Sequence, residues 1–229
     1  GFRRAWPAYT SRPMSQSTSS AAAAAASGRC GMRERLRGAT AERHAQVDRR
    51  MPLARAAPDL RDYLRHLCIL RDWLHCRVSA APQLARLDTV IAQRHSIERD
   101  AVLAARLVGQ PLPEVRMLDH PAPARRAVPD VESNERAAFD TGTRYVIEGA
   151  ALGGQVMYRR LHQALAPHPL EHLRGGGAPE VAARWRAFLA ELEAGPWSPA
   201  LAAAACHGAQ AAFDCLLKRI DAEAEVALP

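Results

Sequence analysis

The chain has 229 residues, 48% apolar, 24% charged and 5% aromatic, with a formal net charge of +7. This suits a globular domain and excludes wholesale disorder, and no run of 18 uncharged apolar residues suggests a membrane span. Four of the positive charges, Arg3, Arg4, Arg12 and Arg29, lie in an acid-free first 31 residues; beyond them basic and acidic residues alternate, as in Arg61-Asp62 and Arg71-Asp72, which predicts solvated helix faces and no nucleic-acid partner.

Residues 1–31 are Ser-rich at 15–20 and Ala-rich at 21–26, with no sustained periodicity, so a disordered low-complexity tail is expected there. Their Arg- and Ser-rich, acid-free composition also resembles a mitochondrial leader. A helical domain is expected over 32–229. Its first amphipathic stretch, 33–50, carries Leu36, Ala39, Thr40, Arg43 and Val47. In 58–79 the apolar positions Leu60, Tyr63, Leu64, Leu67, Cys68 and Leu74 recur at the helical spacings of three and four.

Pro82 predicts the start of a third helix, running to about Leu107. Pro111, Pro113, Pro121, Pro123 and Pro129 make 109–130 an irregular connection. Helix resumes near Ser133 and continues to Leu165, with a break near Gly142. Gly175-Gly176-Gly177 reads as a turn, since it lacks the Lys-Ser/Thr of a phosphate loop. Helices follow at 179–193 and 199–222. With no sustained period-two alternation, the expected fold is all-α, a single multi-helix domain. Cys30, Cys68, Cys76, Cys206 and Cys215 form no Cys-x-x-Cys pair and read as reduced thiols of a cytoplasmic protein.

Three features carry chemistry. His44 and Asp48, four residues apart, share a helix face. A carboxylate that accepts one imidazole N–H fixes the tautomer and raises the basicity of the other nitrogen, which is how a metal-bound histidine is oriented. Gly149, Gly153 and Gly154 fall inside a helix, where each costs about 1 kcal/mol against alanine. Their lack of side chains admits either a flat ligand or a second helix close to the backbone. Arg37, two turns before His44, points from the same side and suits a ligand carboxylate. His66 and His75 on the second helix, and His162, His168 and His172 among prolines in a solvated loop, read as bland. His207 shares the last helix with Phe213, where it can face a pocket.

Together these segments resemble the heme oxygenases. Leu36-Arg37-Gly38-Ala39-Thr40-Ala41-Glu42-Arg43-His44 is similar to that family's proximal helix, with its Ala-Thr-x-x-x-His pattern. Glu148-Gly149-Ala150-Ala151-Leu152-Gly153-Gly154-Gln155 is similar to its distal helix, closest to the bacterial members associated with bacteriophytochromes. The resemblance covers about 32–222. It implies His44 as the axial iron ligand, Asp48 as its carboxylate partner and Arg37 as a contact of a heme propionate, a role for which Arg184 and Arg186 also stand as candidates. Gly149, Gly153 and Gly154 would let the distal helix cross the heme face beside the oxygen-binding position.

The implied activity is cleavage of heme, both substrate and cofactor, to biliverdin, carbon monoxide and ferrous iron. The implied partners are an electron-donating reductase and a bacteriophytochrome that receives the biliverdin; no membrane is implied, and a monomer is expected. One departure stands out. Many members carry an Asp after the first distal glycine, where it anchors a water network, and here that position is Ala150. The alternative is therefore a heme-binding protein of the same fold without turnover.

Overall fold

The computed structural model describes residues 31–117, 129–175 and 178–226. Seven helices follow one another: α1 (Met32–Arg50), α2 (Leu60–Ala80), α3 (Asp88–Val108), α4 (Pro129–Leu161), α5 (Glu171–Arg174), α6 (Ala178–Ala194) and α7 (Pro199–Val226), with 3₁₀ turns at Pro52–Ala54 and Pro82–Arg86. No strand occurs among the described residues. The all-α expectation holds. The expected tail at 1–31 lies outside the described residues, apart from Gly31.

α2 is the central element. Asp59 opens it with a reciprocal capping box, its side chain accepting from the Arg61 and Asp62 amides while Asp62 accepts from the Asp59 amide. Tyr63, Leu67, Ile69, Trp73 and Leu74 are all nearly inaccessible, so α2 is covered on every side. The expectation of solvated Arg-Asp pairs holds at Arg61, which is exposed, and is overturned at the other three residues. Asp62, Arg71 and Asp72 are 3%, 6% and 2% exposed. Asp72 accepts from Arg71 Nε at 3.0 Å and from the Arg116 amide at 3.2 Å, and it pairs with buried Arg219 of α7. Arg71 in turn donates to the Pro113 and Glu114 carbonyls at 2.8 and 2.9 Å. The irregular segment after α3 is thereby tied to the core. Alternating charge along a sequence cannot distinguish a solvated face from this buried network, because the network closes through α7.

The most extensive helix contact is between α4 and α7. A Cβ on Gly142 would lie 1.8 Å from the Ala205 carbonyl oxygen, and one on Gly208 1.9 Å from that of Phe139. The two glycines let the backbones touch, with Ala202, Ala205, Ala209 and Ala212 fully buried alongside. Gly142 is thus a crossing point within a continuous helix and not the expected break. α7 is long and apolar enough to pass for a membrane span by length and composition. Its packing against α1, α2 and α4 uses that apolar surface in the core.

Two smaller departures concern connections. The third helix begins at Asp88, after a separate 3₁₀ turn that Pro82 opens. Residues 162–170, expected to continue the helix and then form a solvated loop, turn back on the core, with Leu165, His168 and Leu170 buried. The short α5 ends at Gly175 in the left-handed region, φ 59°, as a turn glycine should; Gly176 and Gly177 lie outside the described residues.

Candidate functional site

A cleft with a cavity volume of about 270 Å³ opens between α1 and α4. One wall is α1. Arg37, Thr40, Ala41, His44, Val47 and Asp48 border the cleft from it, the i, i+3, i+4 stripe that a single helix face produces. Thr40 is buried and satisfies its hydroxyl on the Leu36 carbonyl at 2.8 Å. Glu193 of α6 accepts from the Met32 and Arg33 amides at 3.2 and 2.9 Å, capping the N-terminus of α1 from another helix. Arg43 binds Asp214 of α7 at 2.7 Å, and Gln210 donates to the Ala39 carbonyl at 3.1 Å. α1 is therefore clamped at both its start and its middle.

His44 stands midway along this wall. Its Nδ1 lies 3.0 Å from Asp48 Oδ2, and its ring meets Phe213 edge-on at 5.8 Å between centroids. With Nδ1–H donated to the carboxylate, Nε2 carries the lone pair suited to a metal. Both side chains are about one-quarter exposed, so the pair borders water without being immersed in it.

The opposite wall is α4, from which Tyr145, Val146, Gly149, Ala150, Gly153, Gly154 and Met157 border the cleft. A Cβ on Gly153 would meet nothing within 4 Å, so this glycine keeps space open. A Cβ on Gly154 would lie 3.3 Å from the Leu173 carbonyl oxygen, so this one lets α5 approach. Both uses expected from the sequence, room for a ligand and close packing, are present on neighbouring residues. Trp73, Leu70 and Leu216 close the interior, and the Trp73 indole is satisfied by the Ala212 carbonyl at 2.9 Å.

Arg37, His44, Asp48, Gly149, Gly153 and Gly154 thus all border one cleft. Arg184, Arg186 and His207 do not border it. Glu148 is buried, 3.5 Å from Arg144, and faces away from the cleft, whereas Ala150 borders it.

The sequence missed two cleft histidines. His66 of α2 and His172 of α5 both line it. No signal marks His66 beyond its phase with Leu70 and Trp73, and His172 lies in a segment without periodicity. Burial holds the imidazolium of His66 down to about 3, helped by the nearby His172, and burial alone holds His172 down to about 4. Both are neutral at pH 7 in the folded chain. The unfolded chain binds protons first as pH falls below about 6.5. Folding stability from these groups is therefore complete above that pH and declines from 6.5 towards 4. At pH 5 His66 alone is expected to cost about 2 kcal/mol relative to pH 7.5. Urea unfolding of the ligand-free chain at both pH values checks this, and His66→Gln should show a smaller loss.

The arrangement has a donor fit for iron, a histidine braced by a carboxylate, facing a wall that carries three glycines. An apolar slot of this shape suits a flat aromatic macrocycle. Residues 31–220 match the heme oxygenase family, and the chain belongs to it. Among its relatives, a heme oxygenase from Xanthomonas campestris pv. campestris (strain 8004) is 42% identical over 102 residues, 44% of this chain. The chain covers 58% of that relative's length.

Proposed function

We propose that the chain is a biliverdin-forming heme oxygenase that takes heme as both substrate and cofactor. One observation carries this: the His44–Asp48 pair and the glycines Gly153 and Gly154 face each other across a single cleft whose interior is apolar. Heme, when bound, supplies the iron that activates oxygen and the ring that is opened to biliverdin with release of carbon monoxide and ferrous iron.

The chain's own residues set the conditions. His44 would hold the iron through Nε2, the nitrogen that Asp48 leaves to it, and Asp48 keeps the imidazole oriented and electron-rich. Gly153 leaves open space along α4 into which a flat macrocycle would fit, and Gly149 borders the same cleft. Arg37, exposed at the mouth, is placed to pair with a propionate carboxylate while leaving the macrocycle in the slot. Trp73, Leu216 and Phe213 exclude bulk water from the interior. Electrons come from a separate reductase, and the biliverdin passes to a recipient such as a bacteriophytochrome.

Ala150 favours a second function, heme binding without turnover, because an alanine holds no water beside the oxygen position. A hemin titration followed by reductant in air separates the two. One equivalent of hemin should produce a sharp Soret band that decays, with catalase present, into the broad red absorption of biliverdin. A sharp band that persists through reduction and oxygenation would establish the binder and reject the enzyme. No saturable band would reject both.

A further inference from the structure

His66 is 4% exposed and lines the cleft, and its Nδ1 has no hydrogen-bond partner. That nitrogen is closed off from any water-sized group, so the ring presents its other nitrogen, Nε2, to water or ligand in the cleft. His172 approaches from α5. Its Nδ1 lies 3.3 Å from Ser96 Oγ, whose single hydrogen is donated to the Gln93 carbonyl at 3.0 Å. The serine oxygen therefore accepts from His172 Nδ1–H, and the neutral ring offers Nε2 as an acceptor.

Both rings are held by a buried scaffold unrelated to iron binding. Tyr63 stacks on His66 with centroids 6.5 Å apart, and its hydroxyl donates to Asp100 Oδ2 at 2.5 Å. The same carboxylate oxygen accepts from the His172 amide at 2.9 Å. The close approach of Gly154 to Leu173 sets the α5 turn directly beside the glycine wall. Leu170, two residues before His172, is in the left-handed region at φ 52°, which for a leucine is a strained conformation that the surroundings must enforce.

We propose that His66 and His172 are positioning residues that hold ordered water in the cleft beside the glycine wall, supplying the polar element that Ala150 does not. The inference rests on the heme function proposed above. His172 accepts through Nε2 and His66 presents Nε2 with its proton, so the pair supplies one acceptor and one donor that can orient a small water cluster. Of the other polar groups on the cleft wall, Asp48 is committed to His44 and Thr40 to its own helix.

The test uses the full chain loaded with hemin, reduced under carbon monoxide. The C–O stretching frequency reports hydrogen bonding to the bound gas and does not require turnover. In the parent chain the frequency is expected to shift on transfer from water to deuterium oxide. His66→Phe and His172→Phe are expected to raise it to the value of an apolar pocket and to abolish the isotope shift, with one-equivalent hemin binding retained. Biliverdin formation should fall about 10²-fold in each. His66→Gln, which keeps hydrogen-bonding capacity and guards against misfolding of the Phe variant, should restore part of both signals.

A frequency and isotope response unchanged in both Phe variants would overturn the proposal while leaving heme oxygenase function intact. So would a parent chain that shows no isotope shift. Failure of the parent chain to bind hemin would instead remove the heme function and this inference with it.

Discussion

Replacing His44 by alanine is expected to abolish heme turnover and to convert the sharp Soret band into the broad spectrum of loosely held hemin. His44 is the cleft imidazole braced by a carboxylate, at 3.0 Å from Asp48, and removing it takes away both the proposed iron ligand and the partner of Asp48. Because the side chain is only about three-quarters buried and Asp48 lies on the same helix, the ligand-free variant should unfold within about 1 kcal/mol of the parent. Free imidazole added to the buffer should occupy the vacated space and restore the band. Asp48→Ala should act more mildly, weakening hemin binding about 10–100-fold, as expected when the orienting partner of a metal-bound histidine is lost. A His44→Ala chain that degrades heme at the parent rate would show that another residue binds the iron.

The second large effect concerns stability. Asp72→Ala is expected to cost about 3–5 kcal/mol, a substantial fraction of the 5–15 kcal/mol typical of a domain. The carboxylate is 2% exposed and neutralises Arg71 and Arg219, themselves 6% and 2% exposed. Without it two guanidinium groups remain in the core with no counter-charge. The Arg116 amide also loses its acceptor, and with it one of the ties that hold residues 113–116 to α2. Urea unfolding should show a lower midpoint with an unchanged slope. A loss below about 1 kcal/mol would mean that water reaches the arginines in the variant. Hemin binding should be retained where the chain is folded, since Asp72 does not border the cleft.

The α1 wall of the cleft was legible in the sequence because it is local. His44 and Asp48 are one turn apart, Arg37 is two turns earlier, and helical geometry alone puts them on one face. Helix α1 needs nothing else to display them, although Glu193, Asp214 and Gln210 are needed to hold it in place. The glycine run was likewise visible as a cost that something must offset. Which glycine opens space and which receives a neighbour was undecidable, since that depends on where Leu173 lies relative to α4. Arg184 and Arg186 looked as good as Arg37 by type, and only the packing of α6 away from the cleft separates them.

The sequence by itself determined the helical class, most helix limits within a few residues, and the residues offered from α1 and α4, all properties written in 3.6-residue periodicity and turn chemistry. Tertiary structure decided what those helices do to one another. Gly142 meets Ala205 and Gly208 meets Phe139 across 63 and 69 residues of chain, Asp72 finds Arg219 across 147, and Cys76 comes within 3.6 Å of Cys215 across 139. It also brought His66 and His172 to one cleft, although one looked like an ordinary helix residue and the other like part of a loop. Periodicity records which face of an element is apolar; it carries no record of which distant backbone will lie against that face, and burial of charge, close glycine contacts and paired histidines are all consequences of that second choice.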